Sequence, residues 1–226
     1  MDKNIIFIHI PKTAGMSISK ALLDANALKQ GYGFTHNKAI DILKSTDNNS
    51  PVLAVVRNPY DRLYSIYEFY RTQQSFRGHK QDFMICDLIN KKKTTVDTNI
   101  TFKEFILNFE QVYHNKQDQF TSCYDFIIDN NNNILCTDII KFENLSNEYQ
   151  QFCNKYNITN LLQSHNNNIN KNNDIDWTKL YDNEMKKVVE NIFSNDLIHF
   201  NYSYESFIRS KPRKIIKENN LFFKLY

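Results

Sequence analysis

Pro11-Lys12-Thr13-Ala14-Gly15-Met16-Ser17 is the stretch of this chain best suited to chemistry. It gathers a cation, two hydroxyls and a glycine in one short run. Ahead of it, Ile5-Ile6-Phe7-Ile8-His9-Ile10 is almost continuously apolar, the pattern of a strand buried on both faces of a parallel sheet. After it, Ile18, Ala21, Leu22 and Ala25 recur at helical spacing between Ser17 and Leu28. A loop between such elements presents the unpaired N–H groups of a helix N-terminus and the positive end of its dipole. That is an anion site. Gly15 is expected to let an anion approach the backbone, with the amides of Ala14 and Met16 beside it. Thr13 and Ser17 add hydroxyl donors, and Lys12 a point charge.

The order of residues matters. GxxxxGK[ST] is absent, and Lys12 precedes Gly15 rather than following it. No metal-binding acid ends a later predicted strand. Metal-assisted binding of a nucleoside triphosphate is therefore disfavoured, and an anion bound without a metal is expected.

Phe7 to Ser17 closely resembles the 5′-phosphosulfate loop of the sulfotransferases that use 3′-phosphoadenosine 5′-phosphosulfate (PAPS). The likeness is nearest to the carbohydrate sulfotransferases of the heparan 2-O and chondroitin 4-O type, whose loop has Thr where this chain has Met16. Val55-Val56-Arg57-Asn58-Pro59-Tyr60-Asp61-Arg62-Leu63-Tyr64-Ser65 resembles the same family's 3′-phosphate segment, with Arg57 at a strand end and Ser65 on the helix that follows. The planar fork of an Arg suits a phosphate. Asp138 to Leu145, with Phe142-Glu143-Asn144-Leu145, resembles a later strand and corner of these enzymes. The likeness spans roughly residues 5 to 202. It implies PAPS as donor, the 3′,5′-bisphosphate PAP as product, no metal, and nucleotide contacts from Lys12, Thr13, Ala14, Gly15, Met16, Ser17, Arg57 and Ser65. Lys12 would also stabilise the leaving oxygen. Arg57 has a duller alternative as the ion-pair partner of Asp61, and Glu143 and Asn144 as helix caps.

An acceptor hydroxyl needs a base. The resemblance places it after the second strand and ahead of a short helix, where Thr35-His36-Asn37-Lys38-Ala39 stands, so His36 is the first choice. Imidazole, with an ordinary pKa of ~6.5, suits that work. His114 is the second choice, from a segment resembling the family's substrate side. His9 reads as a hydrogen-bonded core residue, His165 resembles a loop near the nucleotide, and His79 and His199 carry no motif.

These residues need a scaffold. Val52–Val56 reads as a second buried strand, with a helix begun by Pro59 after it. Helices are expected over 38–43, 102–109, 145–156 and 182–193, and a strand over 134–142. Strands alternating with helices give an α/β fold. The resemblance implies a P-loop-NTPase-like, three-layer form with a central parallel sheet of about four to five strands flanked by helices. With 226 residues the chain suits one domain, read as a sulfotransferase domain over 1–204 and a basic C-terminal tail over 205–226.

Composition limits the partners. Net charge is only +3, and six of the basic residues lie between Arg209 and Lys224. The broad basic footprint of a nucleic-acid binder is missing, so none is expected. The tail is either solvated or a peripheral contact with an anionic membrane. Cys86, Cys123, Cys136 and Cys153 lack metal-ligand spacing. Neither a leader peptide nor a membrane span is predicted, which reads as cytoplasmic. The expected acceptor is a carbohydrate hydroxyl on a surface polysaccharide, lipopolysaccharide or glycolipid. Set against it are a non-carbohydrate hydroxyl, a module that binds PAP or PAPS without catalysis, and a P-loop kinase.

Overall fold

A computed structural model describes residues 4–44, 46, 50–72, 101–109, 120–159, 162 and 175–211. The elements run β1 (Ile6–Ile8), α1 (Gly15–Asp24), α2 (Ala39–Leu43), β2 (Val52–Val56), α3 (Pro59–Thr72), α4 (Phe102–Leu107), α5 (Cys123–Ile127), β3 (Asp138–Lys141), α6 (Leu145–Lys155), α7 (Asn183–Ile192), α8 (Ser194–His199) and α9 (Tyr204–Ser210). Short 3-10 turns at Phe142–Asn144 and Trp177–Lys179 complete the order.

The three strands form one parallel sheet in the order β1-β2-β3, with Phe7 opposite Leu53 and Ala54 opposite Ile139. Strand alternation divides two apolar layers. Ile6, Ile8, Val52, Ala54 and Val56 pack with α2 and α5 on one face. Phe7, Leu53 and Val55 pack with Ile18, Ala21 and Leu22 of α1 and with Tyr149 and Phe152 of α6 on the other. The continuous apolar runs at Ile5 and Val52 are thus explained by burial on both faces. Where four or five strands were expected, the described residues form three. Leu28 makes only a single parallel bridge to Ile5, and Ile134 turns back to an antiparallel bridge with Ile128 before β3 begins.

A third apolar cluster lies beyond the sheet. Tyr60, Leu63, Ile66 and Tyr67 of α3 meet Phe105 and Ile106 of α4, Met185 and Val189 of α7, and Tyr204 and Phe207 of α9. Phe207 is fully buried, so α9 belongs to the core although it lies beyond the span of the family resemblance. Its side of the chain is also pinned polarly, because Asn58 Nδ2 donates to the Ser203 carbonyl and to Ser206 Oγ. Deleting a buried aromatic removes its transfer free energy and leaves a cavity. Phe207→Ala is expected to cost about 3–5 kcal/mol in a urea unfolding titration. An unchanged midpoint would make α9 a surface appendage.

Candidate active site

The Lys12–Gly15 loop follows β1 and opens α1. Lys12 and Ala14 both take left-handed backbone angles, φ 65° and 69°, which disfavour residues with a Cβ. Two guanidinium groups hold the loop there. Arg62 Nε donates to the Pro11 carbonyl at 2.9 Å, and Arg57 Nη1 donates to the Lys12 carbonyl at 2.9 Å. In a trans peptide the N–H points opposite to its carbonyl, so the amides of Lys12 and Thr13 are turned away from the two arginines. Among the described residues, no amide from Lys12 to Met16 makes a hydrogen bond of normal geometry. The helix N-terminus is open as well. Ala14 supplies no side-chain cap and the first turn has no acid, whereas Thr101, Ser122, Asp182 and Ser203 cap α4, α5, α7 and α9. Donors without acceptors beside a positive dipole end make an anion cradle.

Lys12 sits beside that cradle, its Nζ 4.2 Å from the centre of the Phe69 ring. Burial, with Arg57 nearby, lowers its ammonium to about 8. Arg57 is mostly buried: its Nε pairs with Asp61 Oδ2 at 2.9 Å, and its guanidinium lies over the Phe142 ring at 4.0 Å. The ion pair with Asp61 is therefore real, but it does not use up the fork, since Nη2 has no hydrogen-bond partner among the described residues. One turn on from Asp61 along the same face of α3, Ser65 is 8% exposed and its hydroxyl is likewise without a partner. The hydroxyl oxygen is not sealed from solvent, which leaves it open to a phosphate oxygen.

His36 Nδ1 lies 3.0 Å from the His9 carbonyl. A carbonyl only accepts, so Nδ1 carries the proton and Nε2 keeps its lone pair, the tautomer a base requires. The His9 ring stands edge-on to His36, with centroids 4.5 Å apart. His9 Nδ1 donates in turn to the Gly33 carbonyl at 2.9 Å, which also accepts from Ser19 Oγ. Burial first, and then His36, lower the His9 imidazole to about 4, so it stays neutral near pH 7. Gly33, at φ 87°, supplies the left-handed turn that aims this carbonyl inward.

Several sequence expectations change. Thr13 is fully buried and its hydroxyl donates to the Ile10 carbonyl at 2.9 Å, so its one proton is not available to an anion. Gly15 is required for a different close approach. A Cβ there would fall 1.9 Å from His9 Cδ2, so the glycine makes room for an imidazole. Met16 is 63% exposed, and Ser17 is half-buried. Glu143 caps no helix. Its carboxylate accepts from the Asn58 amide and from the Tyr202 hydroxyl, tying the β2–α3 corner to the region before α9. Asn144 supplies no capping side-chain bond. His199 is exposed, its ring stacked on Tyr124. His114, His165, His79 and Cys86 lie outside the described residues.

Three residues here were not legible as site residues. Arg62 is fully buried and also donates to the Thr121 carbonyl at 2.7 Å. Phe69 and Phe142 floor the two cations. The only available cue was the spacing of Arg57, Asp61 and Arg62, which the helix brings together. Among the described residues, no three or more His, Cys, Asp or Glu side chains converge as metal ligands, and no helix is long and apolar enough to cross a membrane.

A family model described as "Sulfotransferase family" matches residues 1–203. Neither the curated proteins nor the solved structures include a match to this chain.

Overpacking a filled space costs about 1–3 kcal/mol. Gly15→Ala is therefore expected to lower the melting temperature by several degrees, about 2–4 °C for each kcal/mol in a domain of this size. Adding His9→Ala should recover part of the loss in the same thermal melt. No recovery would mean that His9 is not what fills the space.

Proposed function

The chain belongs to the sulfotransferase family, and on that premise we propose that it transfers a sulfuryl group from PAPS to a hydroxyl of a carbohydrate acceptor. The observation that carries the reading is the 2.9 Å bond from Arg57 to the Lys12 carbonyl. It brings together two motifs 45 residues apart in the chain, one suited to each phosphate-bearing end of a single bisphosphorylated adenosine.

The residues present fit such a donor. Unpaired loop amides and Lys12 would hold the 5′-phosphosulfate end, and Arg57 Nη2 with Ser65 Oγ the 3′-phosphate. When bound, the donor supplies a sulfuryl group and a bisphosphate leaving group. In the transfer the acceptor oxygen would bond to sulfur as the bond from sulfur to the bridging oxygen breaks, and the acceptor proton would pass to His36 Nε2. Lys12 and the amides meet the charge that grows on the departing oxygen. Being fixed before reaction, they need no reorganisation. With its ammonium lowered to about 8, Lys12 is charged through neutral pH and loses that charge above it. His9 stays neutral and leaves His36 the only proton acceptor of the pair. A carbohydrate as acceptor rests on the likeness to carbohydrate sulfotransferases. Binding is expected to need no metal.

Isothermal titration with EDTA present should show PAP binding far more tightly than ADP. Arg57→Ala should weaken PAP by about 1.5–3 kcal/mol, the range for hydrogen bonds to charged groups. Equal affinities for PAP and ADP would overturn the donor assignment. Turnover of a glycan acceptor with labelled PAPS gives the second test. His36→Ala should slow transfer by about 10²–10⁴-fold, as loss of a general base does, with PAP affinity retained. Retained rate would move the base to His114.

A further inference from the structure

Asp61 is shared. Its Oδ2 accepts from Arg57 Nε at 2.9 Å, while its Oδ1 is engaged by the ammonium of Lys211. All three side chains are removed from solvent, 12% exposed for Arg57, 4% for Asp61 and 14% for Lys211. Burial pushes the Asp61 carboxyl up, but Arg57 and Lys211 together outweigh it and hold the group below the ordinary carboxylate range. Lys211 lies beyond residue 203, where the family match ends, and is carried to α3 by α9. Its path is fixed by the burial of Phe207 against Tyr60 and by Asn58 gripping Ser203 and Ser206. The Lys211 ammonium also lies 5.1 Å from the Phe207 ring centre.

Charge balance gives this arrangement a consequence. Arg57 and Asp61 by themselves cancel, so a phosphate approaching Nη2 would meet a neutral pair. With Lys211 on the second carboxylate oxygen, the trio carries one net positive charge; Glu143 also acts on Lys211, but its two carboxylate oxygens are engaged by the Asn58 amide and the Tyr202 hydroxyl. The geometry points to Lys211 as a positioning residue of the nucleotide site: it neutralises Asp61 so that Arg57 presents a net cation to the 3′-phosphate. This rests on the donor reading given above. Within the segment expected to be a solvated or membrane-facing basic tail, Lys211 is thus turned inward to the site, whereas Arg209 is exposed.

The test is PAP titration by calorimetry, with adenosine 5′-monophosphate as the probe lacking the 3′-phosphate. Lys211→Met is expected to lose about tenfold in PAP affinity, the scale of one charge interaction at a partly buried site. Affinity for the monophosphate should stay within about twofold. Lys211→Arg should keep most of the PAP affinity, and Asp61→Asn added to Lys211→Met should restore a good part of it. A role confined to packing predicts the opposite pattern, with equal losses for both ligands and no rescue on removing Asp61. If Lys211→Met fails to fold, Asp61→Asn is compared with Asp61→Asn/Lys211→Met, which strands no carboxylate. With no Asp61 charge left to neutralise, Asp61→Asn should bind PAP at least as tightly as wild type and adding Lys211→Met should change little, whereas a further tenfold loss overturns the inference. Wild-type chain that binds PAP, with Lys211→Met binding it equally, overturns this inference alone. Wild-type chain that fails to bind PAP overturns the donor reading and this inference together.

Discussion

Two carbonyl oxygens, those of Pro11 and Lys12, fix the geometry of the anion loop, because each is captured by a guanidinium from the segment after β2. The conformation they enforce is unfavourable in isolation. A left-handed residue with a Cβ costs roughly 1–2 kcal/mol, and there are two, at Lys12 and Ala14. A hydrogen bond from a charged donor contributes about 1.5–3 kcal/mol. The two arginine bonds therefore suffice to hold the strained turn, and the strain has a use: it leaves a row of amides with no acceptor among the described residues. Preorganised donors of this kind are effective toward an anion because the folded core has already oriented them.

The same economy of parts governs the two histidines. His9 lends its carbonyl to fix the tautomer of His36 and its ring to crowd Gly15, while its own Nδ1 is fixed by Gly33. Two of the four glycines in the chain are accounted for by one imidazole. Gly15 gives it space, and Gly33 gives it an acceptor. The loop and His36 are thus not separate modules joined by a linker. A change in His9 would move both.

Much of this was legible in the sequence where local pattern and global fold agree. The β-branched runs before Pro11 and Arg57 became parallel strands because burial on both faces demands that composition. Of the residues singled out there, Arg57 keeps Nη2 and Ser65 its hydroxyl without a partner among the described residues, and His36 has a defined tautomer. Other features were not legible, for physical reasons. The hydroxyl of Thr13 is consumed by the Ile10 carbonyl three residues back, and a motif cannot show whether a hydroxyl faces in or out. Gly15 serves a side chain six positions earlier in the chain, which spacing alone does not reveal. Arg62 looks like an ordinary helix residue until the fold buries it. Lys211 sits in a run of basic residues whose composition suggested solvent, and only the packing of Phe207 turns it inward.

The reach of the two arginines has a consequence for how the molecule comes together. Arg57 meets Lys12 across 45 residues and Arg62 meets Pro11 across 51. Contacts of such separation form only after a long chain segment has been closed, at a large entropic cost. Before β1 and β2 have paired, nothing opposes the relaxation of Lys12 and Ala14 to ordinary right-handed or extended angles. A chain arrested partway along its folding route would then carry helices and a collapsed interior but not the row of open amides. The shape of this loop is in this sense a report on completed topology.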